Sequence, residues 1–251
     1  MTNRYEEESK VKQMICEIGR RVFERGYVAA NDGNISVRMS DDIIFCTPTG
    51  VSKGYMTPDM IVKMDIKGNV LSDNAKPSSE VKMHLRVYQE NPTVHAVVHA
   101  HPVVATSYAI AGIPLDQALC PEAVVTLGNV PVAPYATPGT LEVPDSIAPY
   151  CLDYNAVLLA NHGALTWGTN LTEAYYRMES LEHFAMMTMY TGRILNQANE
   201  LNCTQVSDLI KIRENMGVSS GGTPPCKTEE SAASDDELIR NVVQAVLAQL
   251  S

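Results

Sequence analysis

The sequence predicts an α/β fold around a mixed or mainly antiparallel sheet. Segments with helical period alternate along the chain with segments in which apolar and polar residues alternate, a succession typical of an α/β domain. Glycine-centred turns at Lys67-Gly68-Asn69 and Gly128-Asn129 lie between strand-like segments, and such turns favour hairpins and antiparallel pairing. With 251 residues, 45% of them hydrophobic, the chain can bury a sizeable core.

Helices and strands are predicted from hydrophobic period and from end signals. Residues 6–26 carry apolar residues at steps of three and four and end at Gly26, where a C-cap glycine belongs. Ser78-Ser79-Glu80 indicates the start of a helix that reaches about Glu90. The other predicted elements are a strand pair at 34–46, a turn-linked strand pair within 58–71, a strand at 94–101, a helix at 102–113, a strand pair at 121–136, a short helix at 140–152, a buried strand at 156–160 and a long helix at 170–196.

Charge and composition exclude several classes of partner. The formal net charge is −10, so the chain gains nothing from counterion release on nucleic acid and is not attracted to anionic lipid. The N-terminus is polar, and no apolar run reaches the roughly 18 residues of a membrane span. The six cysteines lack CxxC spacing. We therefore expect a cytoplasmic protein whose cysteines are free thiols.

Histidines supply the most informative pattern. His99 and His101 are two apart on a predicted strand, so their side chains share one face. His162 follows the buried strand AVLLA in a loop that contains glycine. Three imidazoles with one open position are the usual ligand set of a catalytic Zn²⁺ site. The spacing of His99 and His101 by itself is equally compatible with a hydrogen-bonded or solvated pair.

One carboxylate and several small polar residues extend this pattern. Glu80 is either a helix-capping residue or a carboxylate beside the metal, serving as ligand or as proton acceptor. Hydroxyl, amide and backbone N–H donors near glycine are the groups that bind phosphate, although each also occurs in ordinary turns. The candidate phosphate-binding residues are Asn34, Thr49, Gly50, Ser78 and Ser79. Neither a Walker lysine pattern nor GxGxxG is present.

These residues lie in motifs that resemble the class II aldolase/epimerase family. The motifs are, in chain order, GNISVR, TPTGVSKG, KPSSEVKMHLRVY, AVVHAHP, APYATPGT and NHGALTWG. The resemblance covers about residues 8–215, and family members include L-fuculose-1-phosphate aldolase and L-ribulose-5-phosphate 4-epimerase. The resemblance implies a three-layer α/β/α sandwich around a mostly antiparallel sheet, assembled as a C4 homotetramer with sites between subunits.

The resemblance also implies the chemistry. One Zn²⁺ per subunit would bind His99, His101, His162 and the resting Glu80, which would then act as acid and base. The five phosphate-binding candidates would hold a sugar phosphate. Since epimerases of this family tend to carry Asp where this chain has Glu80, the expected reaction is cleavage of a deoxy-ketose 1-phosphate, of the L-fuculose 1-phosphate type, to dihydroxyacetone phosphate and an aldehyde such as lactaldehyde.

Two features leave alternatives open. The fuculose-phosphate aldolases use a tyrosine of the neighbouring subunit as proton donor, whereas the corresponding stretch here reads ALCPEA and offers Glu122. A 4-epimerase or dehydratase on the same scaffold, or a non-catalytic metal-binding scaffold, would share the same motifs.

The C-terminal region is predicted to be separate from the catalytic domain, residues 1–216. Residues 217–234 are rich in Ser, Gly, Pro and acids, which is typical of a flexible linker. Residues 235–251 predict a tethered amphipathic helix with an apolar stripe from Leu238 to Leu250. This helix either packs on the enzyme or resembles the encapsulation peptides that dock cargo to shell proteins inside bacterial microcompartments.

Overall fold

A seven-stranded sheet forms the centre of the computed structural model, which describes residues 4–72 and 76–226. Its order is β3-β2-β1-β4-β7-β6-β5, and every pairing is antiparallel except that of β5 with β6. The strands are β1 (Asn34–Arg38), β2 (Ile43–Cys46), β3 (Val62–Asp65), β4 (Ala96–Ala100), β5 (Val132–Ala133), β6 (Ala156–Leu159) and β7 (Gly163–Gly168). The helices are α1 (Arg4–Glu24), α2 (Val81–Glu90), α3 (Val103–Ala111), α4 (Glu142–Ile147), α5 (Leu171–Met189) and α6 (Cys203–Asn215).

Helices cover both faces of this sheet. On β4, Ala96 and Val98 belong to the core formed with α1, α3 and α5, whereas Val97 belongs to the core formed with α2 and α4. This assignment follows from the two-residue period of a strand, which sends alternate side chains to opposite faces. The result is the three-layer sandwich with a mostly antiparallel sheet that the resemblance implied. Within the described residues, no helix is both long and apolar enough to cross a membrane.

The predicted strand pair at 121–136 is wrong in its first half. Residues Ala123–Leu127 form one π-helical turn that packs against α5 and α6. The β-branched residues of this stretch suggested a strand, but tertiary packing overrides that preference. Gly128, at φ 74°, does not close a hairpin. A Cβ there would collide with the backbone of Gly221, so this glycine lets a later segment cross closely.

That later segment is the beginning of the predicted linker, and residues 217–226 are held against the domain. The backbone of Gly221 accepts a hydrogen bond from Asn129 and donates one to Asp153, with N···O distances of 2.7 and 2.8 Å. Arg213 donates to the carbonyl of Gly222 at 2.7 Å. The expectation of a free tether starting at 217 is therefore wrong up to residue 226. The rest of the linker and the predicted helix at 235–251 lie outside the described residues.

A disulfide joins Cys203 at the start of α6 to Cys226. The prediction of free thiols holds for Cys16, Cys46, Cys120 and Cys151 and is wrong for this pair. The two cysteines are 23 positions apart, a separation that carries no motif. Helix α6 was itself absent from the sequence prediction, although Asn202 and Gln205 form a capping box at its start.

Candidate metal centre and active site

His99 is held in place at the centre of the sheet. It is fully buried and lies opposite Asn34 of β1 and Leu165 of β7. Its Nδ1 lies 2.9 Å from the carbonyl oxygen of Ala164. Since a carbonyl can only accept, Nδ1 carries the hydrogen, and Nε2 keeps a lone pair directed toward the α2 side of the sheet.

His101 and His162 bring their rings to the same place. His101 follows the end of β4, and His162 lies in the turn between β6 and β7. The three ring centroids are 4.8 to 5.1 Å apart. His101 Nε2 is 3.1 Å from His99 Nε2, whereas its Nδ1 faces the carboxylate of Asp32 at 3.6 Å. A carboxylate on the second ring nitrogen is a common way to orient a metal-binding imidazole.

Several donor atoms lie close to the separation that a tetrahedral metal ion requires. Bonds of about 2.0–2.1 Å to a tetrahedral ion place neighbouring donor atoms roughly 3.3 Å apart. One oxygen of Glu80 is 3.1 Å from His162 Nε2, and the other is 3.5 Å from His99 Nε2. The separation of His99 Nε2 and His101 Nε2 is also 3.1 Å, and the ligand atoms of His99, His101 and His162 all lie within 4.8 Å of one another. The arrangement of donors therefore suits a divalent cation.

Burial keeps the imidazoles ready to bind a cation. Desolvation lowers the pKa of His99 to about 3 and also lowers the pKa of His101. An imidazole with a low pKa is neutral at physiological pH, and the neutral form is the one that binds metal.

Glu80 immediately precedes α2 but does not cap it through its side chain. The carboxylate turns instead toward the imidazoles and accepts a hydrogen bond from Asn34 Nδ2 at 2.8 Å. Burial works to raise the pKa of Glu80, but the hydrogen bond to His162, the electrostatic attraction of His99 and His162 and the hydrogen bond from Asn34 together outweigh it, so the pKa lies below its ordinary value. The capping alternative is therefore not what the structure shows, and the group is an ionised carboxylate.

A polar cavity of about 250 Å³ opens beside these groups. Glu80, His101 and His162 line it. All five candidate phosphate-binding residues line it: Asn34, Thr49, Gly50, Ser78 and Ser79. Gly50 adopts φ 73°, a backbone conformation that favours glycine, and a Cβ there would meet nothing within 4 Å. The cavity thus joins a set of metal-binding donors to a set of hydroxyl and backbone groups suited to an anion.

Sequence reasoning missed two charged residues that line this cavity. Asp32 and Lys53 both line it. Lys53 belongs to the TPTGVSKG motif, so a cation within a glycine-containing loop was the available signal. Glu122, considered as a counterpart of a tyrosine from the neighbouring subunit, is exposed just before the π-helical turn and does not line the cavity of its own chain, so its role stays a prediction. His95, which directly precedes β4, is exposed and does not join the cluster of His99, His101 and His162.

Comparison with known proteins identifies the same architecture elsewhere. Residues 13–189 match the class II aldolase and adducin N-terminal domain family. A 3-oxo-tetronate 4-phosphate decarboxylase of Escherichia coli is 35% identical over 189 residues, covering 74% of this chain and 89% of the relative. An L-fuculose phosphate aldolase of Methanococcus maripaludis is 35% identical over 174 residues, covering 68% and 92%. The solved structure of an L-fuculose 1-phosphate aldolase superposes with a TM-score of 0.75 at 31% identity, covering 83% of this chain and 96% of that one.

The fold and the site together define an α/β protein with a cluster of three histidines that could hold a metal ion beside a polar cavity. The match over residues 13–189 is more specific. This chain belongs to the class II aldolase family, whose members use a divalent metal ion.

Proposed function

We propose that the protein is a Zn²⁺-dependent aldehyde-lyase. Its substrate is a deoxy-ketose 1-phosphate of the L-fuculose 1-phosphate type, and its products are dihydroxyacetone phosphate and an aldehyde such as lactaldehyde. The observation that carries this proposal is the spacing of four donors, three imidazoles and Glu80, at the end of a cavity lined by hydroxyl and glycine backbone groups.

Zn²⁺ is the ion favoured by three neutral imidazoles in tetrahedral arrangement. His99, His101 and His162 would hold it, with Glu80 as the fourth ligand before substrate arrives. When bound, the ion would supply Lewis acidity toward the ketone oxygen of the substrate. No lysine Schiff base is required for such cleavage.

Glu80 is the group that we assign to proton transfer. Cleavage removes a proton from the hydroxyl group on the carbon that becomes the aldehyde. The electrons of the broken C–C bond pass to the other carbon, which then takes up a proton. An ionised carboxylate that contacts two of the imidazoles and is oriented by Asn34 is placed to carry a proton near the bond that breaks.

The phosphate end of the substrate would occupy the opposite part of the cavity. Backbone and hydroxyl donors of the Thr49-Gly50 loop and of Ser78-Ser79 surround it. Such donors bind a phosphate without a general basic surface. Binding of the phosphate there would fix its distance from the bond to be cleaved, since His101 and His162 line the same cavity.

A second candidate function is decarboxylation of a 3-oxo sugar-acid phosphate, favoured by the name of the decarboxylase relative. Loss of CO₂ from 3-oxo-tetronate 4-phosphate also leaves dihydroxyacetone phosphate. Both reactions break a bond to the carbon next to the ketone and leave the same three-carbon phosphate. They differ in the fragment that departs, an aldehyde or CO₂.

Product analysis distinguishes these reactions. Zinc-loaded protein is incubated with L-fuculose 1-phosphate, L-rhamnulose 1-phosphate, L-ribulose 5-phosphate and 3-oxo-tetronate 4-phosphate. Dihydroxyacetone phosphate, aldehyde and CO₂ are quantified separately, with and without chelator. We expect dihydroxyacetone phosphate and aldehyde in equal amounts, and no product after chelation. CO₂ without aldehyde would indicate the decarboxylase, and an unbroken carbon skeleton would indicate an epimerase or dehydratase.

Replacement of the acid provides the matched test of its role. The Glu80→Gln variant keeps the size of the side chain but cannot accept a proton as a carboxylate does, so we expect a fall in kcat of at least 100-fold. Glu90→Gln, at the exposed end of the same helix, is the control and should retain full activity. Unchanged turnover in Glu80→Gln would refute the assignment of proton transfer to this residue, whereas absence of turnover in the wild type would favour a scaffold without catalysis.

We also propose a homotetramer whose C-terminal residues 235–251 dock to a microcompartment shell protein. The support is the apolar stripe from Leu238 to Leu250 and the preceding Ser/Gly/Pro-rich segment. Light scattering tests the tetramer. Co-sedimentation with shells, compared between the full chain and a chain ending at residue 226, tests the docking. Loss of activity or of the tetramer in the shorter chain would indicate that this helix packs on the enzyme instead.

A further inference from the structure

Lys53 is a buried lysine at the cavity, and none of the assignments above gives it a role. Only 2% of its surface is exposed, yet it lines the same cavity as Thr49 and Gly50. A buried lysine is costly unless its charge is compensated. Its presence in this position therefore calls for a partner or a ligand.

The fold fixes the backbone of Lys53 through close packing on α1. Residues Lys53–Tyr55 form a 3₁₀ turn beneath that helix. A Cβ built on Gly19 of α1 would lie 2.8 Å from the carbonyl oxygen of Lys53, and one built on Gly54 would lie 2.5 Å from the ring of Phe23. The two glycines allow the turn to lie against the helix, so the lysine projects from a rigid support.

The ammonium group joins the two loops that form one side of the cavity. Nζ donates to the carbonyl of Asn31 at 2.8 Å and to the carbonyl of Val51 at 2.7 Å. Asn31 precedes Asp32 and Asn34, whereas Val51 follows Thr49 and Gly50. An ammonium has three N–H donors, and these two carbonyls account for two of them.

Charge is the second reason to assign a role to this residue. The other charged side chains that line the cavity in the described part of the chain are the acids Asp32 and Glu80. The whole chain carries a formal net charge of −10. A phosphate dianion entering the cavity would therefore meet two carboxylates, and Lys53 is the lysine or arginine lining it that could offset them.

The ammonium remains largely charged at neutral pH. Burial lowers the pKa of Lys53 to about 8, and the carboxylates of Asp32 and Glu80 act in the opposite direction. A bound dianion would favour the charged form further.

We propose that Lys53 is a substrate-binding residue that selects a phosphate-bearing substrate, by placing one buried positive charge beside the Thr49-Gly50 loop and by holding the Asn31 and Val51 loops in position. This inference rests on the proposed function in one respect, namely that the substrate carries a phosphate. Lys53 accordingly determines affinity for the anion, whereas Glu80 and the imidazoles determine the rate of bond cleavage.

Inorganic phosphate is the probe for this proposal. Its dissociation constant is measured by calorimetry with zinc-loaded wild type, Lys53→Met, Lys53→Gln and Lys53→Arg. We expect phosphate binding at least tenfold weaker in the Met and Gln variants and within about threefold of wild type in the Arg variant, which keeps the charge. Lys82→Met, an exposed lysine of α2, is the control and should bind phosphate as wild type does.

The Gln variant separates charge from loop support, because its amide can still donate to a carbonyl. Wild-type phosphate affinity in Lys53→Gln would overturn the charge assignment, as would wild-type affinity in a folded Lys53→Met. Zinc content and melting temperature of each variant establish that the metal site and the fold are retained.

Kinetics then test selection, with a ketose phosphate and its dephosphorylated form as substrates. We expect Lys53→Met to raise KM for the phosphate ester at least tenfold, and to lower kcat/KM for the phosphate ester at least tenfold more than kcat/KM for the dephosphorylated form. An equal loss for both forms would refute selection. Phosphate binding needs no turnover, so absence of lyase activity together with a Lys53-dependent phosphate affinity would refute the proposed function and leave this inference standing.

Discussion

Gly163 provides a test of the proposed metal centre. It is not itself a proposed ligand, but its lack of a side chain leaves room for the ring of His101. A Cβ at this position would be 2.5 Å from Cδ2 of His101 and 2.7 Å from the carbonyl oxygen of Ala100. Carbon atoms in ordinary contact are about 3.5–4.0 Å apart, so the ring of His101 would have to retreat by roughly 1 Å. The carbonyl cannot move away easily, because Ala100 pairs with Ala164 in the sheet.

A displacement of that size is large compared with a metal–nitrogen bond of about 2.0–2.1 Å. In Gly163→Ala we therefore expect one imidazole to bind poorly. Changes in the groups that orient a ligand typically cost 10- to 100-fold in metal affinity, which corresponds to about 1.4–2.8 kcal/mol. Overpacking should also lower the free energy of unfolding of the metal-free protein by about 1–3 kcal/mol.

The assay is competition for Zn²⁺ against a chromophoric chelator, together with the melting temperature of metal-free protein. Gly192→Ala is the matched control, since a Cβ there meets nothing within 4 Å and the residue has no positive φ. If Gly163→Ala bound Zn²⁺ as tightly as the wild type and Gly192→Ala do, the assignment of His101 as a ligand positioned by close packing would be refuted.

Two further predictions concern the tail and the phosphate site. A chain ending at residue 226 should keep the free energy of unfolding of the full chain. A chain ending at 217 lacks Cys226 and therefore the disulfide that spans 23 positions, so its free energy of unfolding under oxidising conditions should be lower by roughly 3 kcal/mol. Equal denaturation midpoints for the two chains would contradict this. The affinity of the wild type for phosphate should fall more than tenfold between pH 7.5 and 9.5. Burial lowers the pKa of Lys53 to about 8, and the ammonium loses its proton as the pH rises through that value. The same pH dependence in Lys53→Met would show that another group is responsible.

Several elements of the site were predictable because local period determines which side chains share a face. His99 and His101 are two apart on a strand, and the two-residue period directs them to one side. The serines before Glu80 marked a helix start, and the structure indeed begins α2 at Val81. The same local reasoning also produced one wrong prediction. The β-branched stretch after Glu122 suggested a strand, but the structure has a π-helical turn there.

Contacts between distant segments were not predictable from period. The pairing of Cys203 with Cys226 and the passage of Gly221 over Gly128 join segments that no local pattern relates. The charge of Lys53 was visible in the sequence, but its burial depends on how closely the 3₁₀ turn approaches α1. The bond from Asn34 to Glu80 likewise spans 46 positions of the chain.

The sequence by itself determined the α/β class, the family motifs and the identity of the imidazoles and carboxylate that can meet a metal ion, because those depend on residue type and on spacing along one element. Only the tertiary structure decided that three imidazoles and a carboxylate approach one another through contacts of 3.1 to 3.5 Å, that the side chain of Glu80 turns toward the imidazoles, and that a buried lysine lies beside the Thr49-Gly50 loop. These are distances between separate elements, and they are set by the packing of the sheet against its helices.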